Sequence, residues 1–320
     1  MKITSGAGRK SSGPLRLGKL PVLENIFSNP LLYLMILPGF AYYIIFHYIP
    51  IYGIAIAFKD FKVTRGIAGS AWIGLKNFKD LFGSSLFYGV LKNSLILSLY
   101  RLIWGFPAPI IFAILLSELR NETFKRTAQT MIYLPHFISW VVICGIVANF
   151  LTPSIEGPVN SLIRAFGGKA INFLIQPRYF RPIIIFSEIW KDAGWGTIIY
   201  LASISRIDPT LHEAAVVDGA SRLQRIWYIT LPGIATTVLV ILILRMGYIL
   251  SNGFEQIYML QNPLTYSVSD VFETFTYRVG LLDGRFGYST AVGVFQSIVG
   301  MILILITNTL SRRWSGSGLW

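Results

Sequence analysis

The sequence has almost no sulfur chemistry to offer. Cys144 is its only cysteine, so an internal disulfide and a cysteine-built metal site are both excluded. Histidine is nearly as scarce, and His47, His136 and His212 stand far apart with no metal-ligand spacing. Charge is sparse as well: 13% of residues, against about 25% in a soluble protein. A phosphate-binding loop is missing, because Ser5-Gly-Ala-Gly-Arg-Lys-Ser11 lacks the Gly-Lys-Ser order and a preceding strand. Without a nucleotide motif the chain is not expected to hydrolyse ATP. A membrane-embedded glycosyltransferase would need paired acidic residues or an Asp-X-Asp at the membrane surface, and neither occurs. An ion-coupled secondary sugar transporter would favour an inverted repeat, and no internal repeat is evident.

What the chain has is hydrophobicity. Of its 320 residues 53% are hydrophobic, and mean hydropathy is +0.58. This composition identifies a polytopic, all-α membrane protein. The net charge of +13 is assigned to anionic headgroups rather than to nucleic acid. Residues 1–30 are hydrophilic and basic, with Lys2, Arg9, Lys10, Arg16 and Lys19. The apolar run that follows is too long for a signal-peptide core and is read as a retained first span.

A bilayer-crossing helix needs about 20 mostly apolar residues. Six segments qualify: 31–57, 87–117, 128–151, 182–205, 232–256 and 289–310. Gly105 and Pro107 predict a kink in the second. The fourth is the least hydrophobic, holding Glu188, Lys191 and Asp192. The chain is thus divided into a basic N-terminal segment 1–30, a six-span membrane region 31–310 and a tail 311–320. The last span carries small residues, Ala291, Gly293, Ser297 and Gly300, predicted to give one face for close helix packing.

Charge inside a bilayer costs about 2.5–3.5 kcal/mol per residue on insertion scales, so such residues usually line a bundle interior or a path. Glu188, Asp192, Trp195 and Ile199 recur at helical spacing on the fourth span. Arg245, Tyr248, Asn252 and Glu255 do so on the fifth. Each set is predicted to share one helix face. Arg101 and Lys92 read as structural or snorkelling residues.

Between those two spans lies a polar island, 206–232. Asp208 is a good N-cap, Pro209 suits the first helical position, and Gly219 suits a left-handed helix end. Ser221 with Gln224 forms a capping box that starts a second small helix. Ala214 and Ala215 are small enough for a partner to approach the backbone, and Glu213 offers a carboxylate to a partner's arginine. The region has the shape of a docking plug.

The spacing of Glu213-Ala214-Ala215, Gly219, Ile229, Leu231 and Pro232 resembles the EAA loop of ABC importer permeases. The segment Tyr277–Ser297, with Asn308 and Arg312-Arg313, is similar to the end of a carbohydrate (maltose-type) permease. It looks most like the group importing complex oligo- and polysaccharide fragments. The resemblance implies a type I ABC importer permease fold and six spans, with both termini cytoplasmic in a bacterial plasma (inner) membrane. It implies no cofactor on this chain, with ATP and Mg on two partner ATP-binding subunits. It further implies a second, related permease chain and an extracytoplasmic solute-binding protein facing the three long outer loops. Leu211, Glu213, Ala214, Ala215, Asp218 and Gly219 would meet the ATP-binding subunit, and alternating access would move the sugar. By distance from the motif, Glu188, Asp192, Trp195, Arg245, Tyr248, Ile249 and Asn252 fall where sugar contacts are expected. Arg245 invites an acidic, uronate-containing glycan. The other reading open at this point is that Arg245 pairs with Glu188 or Asp192.

Overall fold

A computed structural model describes residues 30–154, 157–315 and 318. The expected basic segment lies outside these residues up to position 29, as does most of the tail beyond 315. The chain divides into two units, Met1–Ile54 and Ala55–Trp320. The described part of the first is helical. A π-turn at Ile44–Tyr48 interrupts it, and Tyr43 packs on His47 with ring centres 5.1 Å apart.

Among the described residues, four helices are long and apolar enough to cross a bilayer. They are α1 (Leu31–Phe58), α3 (Ser85–Ser117), α9 (Arg222–Gly247) and α12, apolar over Phe286–Arg313 and helical over Phe286–Ser315. A helical pair makes a fifth if counted as one span: α4 (Glu122–Tyr133), with its extension to Phe137, and α5 (Trp140–Leu151). Helix α7 (Pro177–Ile204) has 28 residues, about 42 Å at 1.5 Å per residue. It is long enough to cross, but Arg181, Glu188, Lys191 and Asp192 make it too polar to be recognised by apolarity. Shorter helices are α2 (Lys76–Phe82), α6 (Pro158–Ala165), α8 (Pro209–Val217), α10 (Phe254–Leu260) and α11 (Phe272–Thr276).

Several expectations need correction. The protein is mostly rather than purely helical, because β1 (Lys59–Asp60) and β2 (Ala71–Trp72) pair antiparallel. The third span, 128–151, is not continuous: the chain bends by 103° between Phe137 and Trp140. Ser139 accepts from the Val142 N–H and starts a new helix, while the old one tightens around Pro135 into a 3₁₀ turn over Leu134–Phe137 and ends there. The fifth span is shifted from 232–256 to 222–247. The capping box at Ser221 does form, with Ser221 N–H donating to Gln224 Oε1 at 2.7 Å. The helix it starts is not small, however. It runs on through a π-turn at Ile226–Thr230, where the looser winding admits Pro232 one turn later.

The small-residue face of α12 is also narrower than expected. Ala291 is fully buried, and a Cβ on Gly300 would lie 2.3 Å from the Gly247 carbonyl oxygen. Gly293 has nothing within 4 Å of such a position. Helix α3 winds as a π-turn over Arg101–Gly105, with Phe106 N–H reaching Arg101 O at 2.8 Å. The predicted kink at Gly105 and Pro107 is therefore a widened turn ahead of the proline.

Two apolar clusters hold unit two together. Leu81, Phe87, Leu250, Phe272, Tyr288 and Val292 join α2, α3, α11 and α12. Leu97, Cys144, Ile184, Ile257 and Val271 join α3, α5, α7 and α10. Lipid is as apolar as leucine, so such clusters act through close packing, and interhelical hydrogen bonds add to them. Asn93 donates to the carbonyls of Ser267 and Asp270 at 3.1 and 3.2 Å and accepts from Arg181 at 3.0 Å.

Candidate functional site: a buried polar chamber and an exposed loop

Glu188, midway along α7, is the centre of the polar chamber. Its Oε2 lies 2.6 Å from Arg101 Nε, and its Oε1 lies 3.4 Å from Arg245 Nη2. Arg101 comes from the π-turn of α3 and Arg245 from the last turn of α9. Arg101 also donates to Gln256 Oε1 at 3.0 Å. Gln256 is held in turn, donating to Ile184 O at 2.8 Å and Ser187 Oγ at 2.9 Å. The two arginines differ in freedom: the side chain of Arg101 is 11% exposed and that of Arg245 is 37% exposed.

Three cavities meet at Glu188. One of about 430 Å³ is lined by Ser98, Arg101, Glu188, Arg245, Tyr248 and Ile249, among others. Its charged lining is two guanidinium groups and one carboxylate, a surplus of positive charge. A second, about 180 Å³, adds Asp192, Trp195 and Ile199. A third, about 270 Å³, is bounded by Arg101, Trp140, Asp192, Phe254, Glu255 and Gln256. That side is acidic.

Asp192 takes a different partner from Glu188. Its Oδ1 is 2.9 Å from His136 Nδ1, and the His136 ring stacks on Trp195 at 4.7 Å with 5° between planes. Lys191, on the adjacent position of α7, donates to His136 O and Ile138 O at 2.7 Å each. It thereby satisfies carbonyls that the bend between α4 and α5 leaves free. A single turn of α7 so fixes the wall of the chamber and the corner of the broken span.

The sequence candidates divide accordingly. Glu188, Asp192, Trp195, Arg245, Tyr248 and Ile249 line the connected cavities. Asn252 does not. It is fully buried, donates to Ser94 O and Leu250 O, and gives its backbone N–H to Glu273 Oε1 at 3.0 Å. The face predicted for Arg245, Tyr248, Asn252 and Glu255 does not exist as one helix face. Helix α9 stops at Gly247, and Gly253 at φ 73° turns the chain into α10. Arg101, His136, Lys191 and Gln256 were not among the candidates. A charge inside a membrane span was the signal for Arg101 and for Lys191; His136 and Gln256 carried none.

The loop between α7 and α9 is exposed. Asp208 Oδ1 accepts from Thr210 N–H at 2.9 Å, which holds this carboxyl below its usual range. Helix α8 ends with Ala220 N–H on Ala215 O at 2.8 Å, allowed by Gly219 at φ 78°. Leu211, Glu213, Ala214, Asp218 and Gly219 are exposed, and Ala215 is half-buried. Leu211, Val216 and Val217 give the loop an apolar surface. The helices on either side are tied at its base. Ser203 and Thr237 hydroxyls lie 2.9 Å apart, and Gly233 admits Ile207 where a Cβ would meet it at 2.7 Å.

Long apolar helices, a polar chamber among them and an exposed, firmly capped loop between two chamber helices define a multi-pass membrane transport subunit. Residues 81–316 match the family described as binding-protein-dependent transport system inner membrane component. The chain is 46% identical over 299 residues to the polygalacturonan/rhamnogalacturonan transport system permease protein YteP of Bacillus subtilis (strain 168), covering 93% of each. It is 45% identical to Protein LplB of the same organism, covering 90% of this chain and 91% of that one. A crystal structure of a bacterial ABC transporter involved in the import of the acidic polysaccharide alginate contains a similar chain. The TM-score is 0.86 and the identity 42%, over 92% of this chain and all (100%) of that one. A second structure shows a bacterial alginate ABC transporter in complex with an alginate pentasaccharide-bound periplasmic protein, again at TM-score 0.86. The chain belongs to this family: it is the permease of a binding-protein-dependent ABC sugar importer, with the type I permease fold.

Proposed function

We propose that this subunit forms half of a membrane pathway for acidic, uronate-containing oligosaccharides. The observation that carries this reading is the unequal sharing of Glu188. Arg101 holds it at 2.6 Å, while Arg245 stays at 3.4 Å with its guanidinium open to the 430 Å³ cavity. A guanidinium is always charged and presents a planar fork that fits a carboxylate. The relatives named for polygalacturonan and alginate transport support the same ligand class. The ion-pair reading of Arg245 is accommodated: Glu188 holds it in the absence of sugar and yields it to a uronate.

Movement is by alternating access. Helices α7 and α9 carry both the chamber and the loop. From Glu188 to Ile204 is about 24 Å of helix, so a push on α8 reaches the arginine pair through rigid rods. Leu211, Glu213, Ala214, Ala215, Asp218 and Gly219 seat in an ATP-binding subunit, and two such subunits bring the ATP and Mg. The chain is a pore subunit and no enzyme. A second permease chain, different but related, completes the pathway, and the solute-binding protein docks on the segments 58–86, 152–181 and 257–288. Counting α7 and the bent pair as spans gives six, with both termini cytoplasmic in a bacterial inner membrane.

Arg245→Ala in the reconstituted importer tests the ligand class. Uptake of an acidic oligosaccharide is expected to fall by about 10- to 100-fold, the worth of one charge-assisted pair, and uptake of a neutral one far less. Equal loss for both, or no loss, refutes the acidic ligand. Coupling is tested separately by Glu213→Ala with Gly219→Pro. The ATP-binding subunit is expected to be lost on co-purification; if it stays, the loop is not its seat.

A further inference from the structure

Three aromatic rings continue the chamber beyond the residues described so far. Phe254 lines the 270 Å³ cavity beside Arg101, Glu188 and Gln256. Tyr258, one turn further along α10, stacks on Phe254 at 4.8 Å with 21° between planes. Tyr277, from the turn after α11, lies 4.9 Å from Phe254 and 5.3 Å from Tyr258. The opposite side of α10 is core: Gln256, Ile257 and Leu260 are buried. Tyr258 is not core filler. It remains 41% exposed although two rings pack on it, whereas the core rings Phe87 and Phe272 are 1% and 0% exposed.

We propose that Phe254, Tyr258 and Tyr277 are a sugar-stacking platform that receives the next unit of an oligosaccharide whose leading unit occupies the chamber. This rests on the oligosaccharide reading above. A pyranose presents an apolar C–H face, and a phenol offers an apolar ring with a hydroxyl at its rim. Such a surface reads the ring and ignores the charge. Glu255, which lines the 270 Å³ cavity with Phe254 and Arg101, repels a carboxylate. It turns the acidic edge of a bound unit toward Arg101 and Arg245. Charge is therefore selected in the chamber and chain length on the platform.

The test is transport by the complete reconstituted importer, using short and long uronate oligosaccharides and long neutral ones. Tyr258→Leu keeps the bulk and removes the π-face. It is expected to slow long chains, acidic and neutral alike, by about three- to tenfold, the value of one stacking contact, and to leave the shortest sugar nearly unaffected. Tyr258→Phe is expected to restore most of the rate. Unchanged uptake of long chains, or equal loss at every length, overturns the platform. A second readout does not depend on the rate. In a Cys144→Ser background, Tyr258→Cys is expected to react with a membrane-impermeant maleimide and to be protected by long oligosaccharide during turnover. No reaction, or reaction without protection, also overturns it. Arg245→Ala separates the two readings. If it loses no acid preference while Tyr258→Leu still discriminates by length, the acidic ligand fails and the platform stands. The reverse pattern removes the platform alone.

Discussion

Replacing Glu188 by leucine is expected to destabilise the folded permease by about 3–5 kcal/mol, because it strands a buried charge. Arg101 is 11% exposed, and from the middle of α3 it reaches open space only through the cavities it lines. With Glu188 gone, its remaining hydrogen-bond partner is the neutral Gln256. The double variant Arg101→Met with Glu188→Leu removes both charges and is expected to regain most of the lost stability, because an apolar pair of similar volume matches or exceeds a buried ion pair. It is not expected to regain transport, since Arg245 then has no carboxylate to hold it between sugars. Thermal unfolding of the purified subunit in detergent reads the first effect, and uptake by the assembled importer reads the second. A double variant no more stable than Glu188→Leu would show that the pair is not the main charge interaction at this site.

The importance of Glu188 was legible in the sequence; its first partner was not. A carboxylate inside an apolar span announces itself, because lipid makes it costly. Its partner is 87 residues away on α3, and nothing in a helical period encodes which of Arg101 and Arg245 lies nearer. The caps of the loop between α7 and α9 were legible for the opposite reason. Asp208, Pro209, Gly219, Ser221 and Gln224 act on backbone groups within about five residues of them, so spacing alone determines their geometry. The bent span had local signals too, Pro135 and Ser139, but a continuous apolar run masks a break when only hydropathy is weighed. The end of α9 was misplaced because Tyr248–Gly253 stays apolar enough to pass for helix. Three of its backbone groups are met instead from far away in sequence: Asn252 N–H by Glu273, Ile249 O by Ser98 of α3 and Leu250 O by Gln296 of α12.

The crossing of α4 on α7 carries the second large effect. Gly194 faces Ile132 so closely that a Cβ would lie 2.0 Å from the Ile132 carbonyl oxygen and 2.6 Å from its carbon. Those are backbone atoms and cannot swing aside. Gly194→Ala is therefore expected to force the helices apart and to cost about 1–3 kcal/mol, and Gly194→Leu to prevent a stable fold. One turn away, the same crossing positions Lys191 on the His136 and Ile138 carbonyls and Asp192 on His136. Separation of α4 then also moves His136 off Trp195 and opens the chamber wall. Transport by Gly194→Ala should accordingly fall further than its loss of stability explains. Gly293→Ala is the control, since nothing lies within 4 Å of that position; it is expected to be as stable as the parent or more stable by up to about 1 kcal/mol, because alanine favours the helix. Equal melting temperatures for the two alanine variants would mean that α4 and α7 do not meet at this glycine. The chamber would then need another account of how a broken span keeps its wall in place.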